Sequence, residues 1–276
     1  MRSESIWRTF PVTSEHRSYA RRVLEAATLL FGLLMGSFLN VVIYRVPRGE
    51  SIVTPRSRCT RCLEEIRPRD NLPVLSWLLL RGRCRYCAAR ISARYPLIEL
   101  ATGVLFALTA WRFGLSIELA AFIVLVAALI AVTAIDIELR LVPKRIVWPT
   151  FGAGLILFLV SAVLREDPRR LIEAVAGSLA AFGVLFAIHF IAPKGMGFGD
   201  VRLAALLGLF LGWLGPGHVG LGLFLGFVSG GLGGLVALAA GRSRRSALPF
   251  APFLALGTVM AVLAGQPILD WYRGVG

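Results

Sequence analysis

The chain has 276 residues, 57% of them hydrophobic and 17% charged, with 30 Lys+Arg against 16 Asp+Glu and a mean hydropathy of +0.73. Soluble domains run at about 45–50% apolar and about 25% charged. The composition therefore excludes a disordered, collagen-like or disulfide-rich secreted chain and speaks against a soluble globular enzyme, leaving an all-α, polytopic membrane protein.

Residues 1–23 carry scattered charges, and the first long apolar run begins only at Ala26. The segment reads as an extracytoplasmic N-terminus and not as a cleaved signal peptide. Residues 24–44 form the first crossing. Asn40 within it is expected to bond a neighbouring helix.

The segment 45–95 is polar and holds twelve arginines against Glu50, Glu64, Glu65 and Asp70. Basic loops stay in the cytoplasm, which places this one inside and, with eight crossings, both termini outside. The excess positive charge fits topology and anionic lipid contact better than nucleic acid. All four cysteines, Cys59, Cys62, Cys84 and Cys87, lie here as two C-x2-C pairs separated by 21 residues. That pattern presents four thiolates to one tetrahedral zinc, just beyond the usual spacer length. Flanking arginines favour thiolates, and a reducing cytoplasm disfavours disulfides. Four cysteines close the coordination sphere, so the zinc would be structural, folding a loop too polar for a core of its own.

Residues 96–276 supply the other crossings. Uncharged runs at 119–135, 146–164 and 246–269, with 174–193 (interrupted only by His189) and 96–111 (only by Glu99), are of spanning length. The run 203–240 is too long for one crossing and breaks at Gly215-Pro216-Gly217-His218, giving a short helix and a longer one. His189 reads as a hydrogen-bonded packing residue, Gly220 to Gly234 as close helix packing, and Trp77, Trp111 and Trp148 as interfacial anchors.

Acids within membrane helices are costly and tend to serve function. Glu118 reads as interfacial. Glu99 either pairs with an arginine such as Arg94 or belongs to a site. Asp136 ends the third span and Asp200 opens the sixth, both on the cytoplasmic side at similar depth. Two close carboxylates share a proton and can activate water. Gly195, Gly197 and Gly199 would let an extended substrate approach Asp200. The alternative is an acid favoured by a helix N-terminus after a glycine turn, and spacing alone does not separate the two readings.

At these residues the chain resembles the type IV prepilin peptidases, the GxGD class of intramembrane aspartic proteases. The resemblance runs from about residue 30 to the end. GSFLNVVIYRVP (36–47) resembles the signature closing the first helix. DNLPVLSWLLLRGRCRYC (70–87) and ISARYPLIEL (91–100) resemble the zinc loop. Asp136 with Pro143, GMGFGD (195–200) with Asp200, and LPFAPFLALG (248–257) follow in the family's order. Departures are Glu138 where a second Asp is common, Lys144 for an acid, Arg202 for Lys and Ala251 for Gly; they bear on substrate preference.

The resemblance implies an endopeptidase of the inner membrane that cuts type IV prepilins or pseudopilins after a glycine, at the cytoplasmic face, with Asp136 and Asp200 catalytic. It also implies N-methylation of the new terminus from S-adenosylmethionine, for which Glu99 is the first candidate. No nucleotide fingerprint supports that cofactor independently. The competing reading is a proton- or cation-coupled transporter using the same acids, although no paired inverted repeat of broken helices is evident. A third is a scaffold whose zinc loop docks a secretion machine.

Overall fold

The computed structural model describes residues 14–193, 195–241 and 248–274, with side chains from residue 18 onward. Residues 1–13, most of the segment expected to be extracytoplasmic, lie outside the described residues. The chain forms α1 (Ser14–Arg45), α2 (Leu75–Leu79), α3 (Arg94–Phe113), α4 (Ile117–Leu139), α5 (Lys144–Arg165), α6 (Pro168–Ile191), α7 (Phe198–Leu214), α8 (Pro216–Ala239) and α9 (Ala251–Tyr272). Among the described residues there is no β-strand, only two isolated bridges in the cysteine loop. All-α architecture is what the uninterrupted apolar runs require, because a backbone in lipid must satisfy its polar groups internally.

Among the described residues, seven helices are long and apolar enough to cross a membrane. The eighth, α7, has 17 residues, or about 25 Å at the α-helical rise. It is the core of the bundle: Leu203 to Trp213 are all buried, enclosed by α5, α6, α8 and α9. The predicted break at Gly215 is there, with φ of 125° that glycine adopts freely.

Helix pairs close where glycines remove side chains. A Cβ on Gly208 would lie 2.3 Å from the Gly177 carbonyl oxygen, so α6 and α7 meet backbone to backbone. Gly257 on α9 is similarly placed against Gly222 and Gly226 of α8, and Gly32 and Gly36 seat α1 on α3. Small residues permit this approach where lipid offers no hydrophobic drive to association. In the glycine run of α8, Gly222, Gly226, Gly230 and Gly233 press on neighbours, whereas Gly220 and Gly231 face open space. Phe122, Phe158, Phe210 and Trp213 form an aromatic cluster between α4, α5 and α7, with Phe158 stacked on Trp213 at 4.5 Å. Leu, Val and Phe side chains along the outer faces are exposed, the surface that lipid would cover.

Candidate active site

Alternating helix directions bring the C-terminal end of α4 and the N-terminal ends of α7 and α9 to one end of the bundle. α4 stops soon after Asp136. Arg140 takes a left-handed conformation and returns its N–H to the Asp136 carbonyl at 2.9 Å, and Pro143, which has no N–H to continue the ladder, then caps α5. The Asp136 side chain is buried and accepts a hydrogen bond from the Ala251 N–H at 3.1 Å. That N–H is one of the first-turn donors of α9, which have no partner within their own helix.

Asp200 lies in the first turn of α7, its N–H bonded to the Gly197 carbonyl at 3.0 Å, and it too is buried. The two carboxylates are near enough for Asp200 to feel the charge of Asp136. The structure thus brings the two acids together.

The three glycines before Asp200 are not equivalent. A Cβ at Gly195 or Gly197 would meet only ordinary contacts, at 3.5 and 3.6 Å. At Gly199 it would stand 2.9 Å from the Val142 side chain, so that glycine seats α7 on the turn after Asp136 rather than leaving space beside the acid. His189 bonds the Met196 carbonyl at 2.8 Å, the packing role expected of it, and ties the glycine segment to α6.

A second cluster joins α1, α3 and the cysteine loop. The GSFLN segment turns Gly36, Ser37 and Asn40 toward α3. Gly36 lets the α1 backbone press on the Cα of Glu99, Ser37 bonds the Glu99 carboxylate, and Asn40 donates to the Tyr95 carbonyl at 3.2 Å, the interhelical bond expected of it. Glu99 also accepts the Val74 N–H from the loop at 2.7 Å. It does not pair with Arg94, whose guanidinium instead reaches Glu138 on α4. A helical residue five positions away points to a different face, which is why the pairing suggested by proximity in sequence fails.

The cysteine loop is built from two similar turns. Leu63 N–H bonds the Cys59 carbonyl and Ala88 N–H the Cys84 carbonyl, each at 3.0 Å. Leu63 and Ala88 both have positive φ, and the bridges Arg58–Glu65 and Arg83–Arg90 close the two turns alike. The four sulfurs lie within 4.8 Å of one another, with Cys59 to Cys87 at 3.8 Å and Cys62 to Cys84 at 4.0 Å. Ligands at the usual zinc–sulfur distance in a tetrahedron are about 3.8 Å apart. The cysteines are therefore positioned to bind a metal ion.

The Cys62 N–H directed at its sulfur draws the Cys59 thiol down to about 6. The Glu64 N–H pulls on Cys62, but burial and the neighbouring thiols outweigh it and push Cys62 up to about 12. One thiolate thus forms easily and the next reluctantly unless a cation joins them. Beside them, Arg85 grips Asp70 through two bonds of 2.5 and 2.7 Å. Trp77 is no interfacial anchor: its indole donates to the Ile91 carbonyl at 3.1 Å and packs on Gly82, inside this loop.

At the far end of the bundle, Glu118 lies in the first turn of α4, where an interfacial residue is expected, and is buried by its protein neighbours. It accepts Ser161 and Arg165 at 2.7 Å each.

Three contributors were not predicted: the Ala251 N–H, the Arg94–Glu138 pair and Ser37. Ser37 follows Gly36 inside an apolar helix, which is a legible signal. The other two depend on residues distant in sequence.

Comparison with known proteins identifies the family. The model of the bacterial peptidase A24 N-terminal domain matches residues 30–113, taking α3 together with the cysteine loop. The type IV leader peptidase family model matches 123–238. Curated proteins named prepilin leader peptidase/N-methyltransferase are similar over most of their length. The Pseudomonas putida protein is 40% identical over 89% of this chain and 92% of its own. The Stutzerimonas stutzeri protein is 37% identical over 88% and 92%, and that of Bacillus subtilis (strain 168) 36% identical over 88% and 95%. No solved structure matches. Fold and site define a polytopic helical membrane protein with paired acids at one end. The chain belongs to the type IV leader peptidase family.

Proposed function

We propose that this chain removes the leader of type IV prepilins or pseudopilins, cutting after a glycine, and then methylates the exposed N-terminus. The observation that carries the peptidase reading is the approach of Asp136 to Asp200 at one end of the bundle. The Ala251 N–H steadies negative charge on Asp136, so Asp136 takes the proton of a water as that water attacks the glycine carbonyl. Asp200 keeps its proton and delivers it to the leaving amine. Gly195 and Gly197 leave room for the substrate backbone beside Asp200. The arginine-rich 45–95 segment supports placing this end at the cytoplasmic face of the inner membrane, with lipid around the bundle and the hydrophobic helix of the prepilin entering from it.

The loop would hold one zinc through Cys59, Cys62, Cys84 and Cys87, whose four thiolates suit a structural rather than a catalytic role. Methyl transfer draws on S-adenosylmethionine, which supplies an electrophilic methyl group when bound. The cluster at the α1–α3 contact suits such a cationic donor: Glu99 offers a carboxyl group held by Ser37 and the Val74 N–H, and the buried Asn40 Oδ1 has no hydrogen-bond partner. The comparisons give the transporter alternative no support.

The test is incubation of the purified full chain with a prepilin, with and without S-adenosylmethionine, and mass measurement of the product. Loss of the leader alone, and of the leader with gain of one methyl group when the donor is present, is expected. An unprocessed prepilin overturns the reading.

A further inference from the structure

The cysteine loop carries one short helix, α2, whose two faces differ. Ser76 is buried and donates to the Arg69 carbonyl at 3.1 Å, and the Trp77 indole is turned to the Ile91 carbonyl, so this face is satisfied within the loop. Leu75, Leu78 and Leu79 stand at i, i+3 and i+4, positions that share a helix face. They are 58%, 57% and 81% exposed. A contiguous apolar face on a polar, arginine-rich loop marks an interaction surface.

The height of α2 identifies what covers that face. α3 has 20 residues, about 30 Å at the α-helical rise, which is the thickness of a bilayer's hydrocarbon layer. Arg94 therefore stands at the membrane boundary, and the Glu99 backbone lies about 7.5 Å inside it. The Val74 N–H, where the chain enters α2, donates to the Glu99 carboxylate at 2.7 Å. Helical side chains lean back toward the helix start, so this bond draws α2 to the boundary plane beside α1 and α3. Phe38 of α1 and Leu97 and Leu100 of α3, exposed at the same end, belong to the surface that lipid covers. Arg81 and Arg83 follow the leucines directly and are exposed. Among the described residues neither has an ion pair.

We propose that α2 is a membrane seat: Leu75, Leu78 and Leu79 enter the acyl boundary of the leaflet, and Arg81 and Arg83 bind the phosphates of anionic lipid headgroups. A helix with leucines on one face and basic residues beside them lies in the interface in this way, its apolar face about 5–10 Å into the boundary of headgroup and acyl chain. The occupant is lipid rather than a second protein, because the face sits at the edge of a bilayer that is always present and its free arginines match anionic headgroups. The seat does not depend on the proposed cleavage or methylation. It fixes the height of the cysteine loop over the Glu99 cluster.

The test uses the purified full chain in nanodiscs of phosphatidylcholine and phosphatidylglycerol, without prepilin. Photoreactive p-benzoylphenylalanine replaces Leu79 in one preparation and, as the lipid-facing standard, the exposed Ile156 of α5 in another; adducts are identified by mass. Phospholipid is expected as the main adduct at both positions. Adducts at Leu79 to a second copy of the chain, or none beside lipid adducts at Ile156, overturn the proposal. In a second measurement, Leu78→Gln combined with Leu79→Gln keeps helix propensity and removes the apolar face. Trypsin cleavage after Arg81 in the nanodisc should rise about tenfold or more, with cleavage after Arg58 unchanged. An unaltered rate at Arg81 sinks the idea, and so does an equal rise at both sites, which reports a loop unfolded rather than unseated.

Discussion

Ala251 and Asp136, 115 residues apart in the chain, meet through one hydrogen bond of 3.1 Å from backbone to carboxylate. The first N–H of α9 thereby acts as a fixed donor to an acid on α4. A side-chain donor could swing away; a backbone N–H in a helix cannot. Replacing either acid should therefore abolish chemistry without loosening the bundle. Asp136→Asn and Asp200→Asn are expected to lower leader cleavage by about 10²–10⁴-fold, with helical circular dichroism unchanged.

The glycines before Asp200 should separate into two classes. Gly197→Ala meets only ordinary contacts, so its unfolding temperature should stay put while cleavage of prepilin falls through a raised KM. Gly199→Ala pushes on Val142 and should lower both cleavage and thermal stability. Equal behaviour of the two variants in paired melts and cleavage assays would contradict the assigned geometry.

Gly208→Ala tests the α6–α7 contact. The added Cβ would stand 2.3 Å from the Gly177 oxygen, a backbone atom that cannot rotate aside. Overpacking of this kind costs about 1–3 kcal/mol or more, set against a gain of about 1 kcal/mol in helix propensity. A lowered unfolding temperature in detergent is the expected result.

Metal content should be about one zinc per chain. Cys59→Ser or Cys84→Ser should lose it, and a strong chelator should make the loop protease-sensitive while helix content persists. Because thiolates bind the metal, protons compete with it, and its release should occur in acid, below the pH at which the metal-free Cys59 thiol titrates.

The Asp70–Arg85 pair gives a distinct acid signature. Arg85 first, helped by Arg69 and Arg67, holds the Asp70 carboxyl below the usual range. A depressed native value contributes stability above the ordinary carboxylate pKa of about 3.9 and loses it as pH falls through the lowered value. Arg85→Gln should therefore destabilise the loop at neutral pH, with the gap from wild type closing only in strong acid. Proteolysis of the loop across pH, comparing the two proteins, reads this directly.

Much of this was legible in the chain itself. Eight long helices follow from apolar runs, and the split at Gly215 follows from turn chemistry. The cysteine spacing announced a four-sulfur cluster. Contacts between distant segments were not legible. Periodicity says which residues face inward, not which helix they meet, so Glu138 rather than Glu99 taking Arg94 could not be read. The partners of Glu118 were hidden for a related reason: Arg165 and Ser161 arrive from α5 to hold it. Trp77 looked like an anchor by residue type, and the loop that folds around it left no trace in hydropathy.

The ion pair of Arg94 and Glu138 fastens the root of the cysteine loop two residues beyond Asp136. A pull on that loop is delivered to the α4 tip as through a tie rod. On the proposed reading, the peptidase acids and the loop beside Glu99 would belong to one tethered end of the bundle.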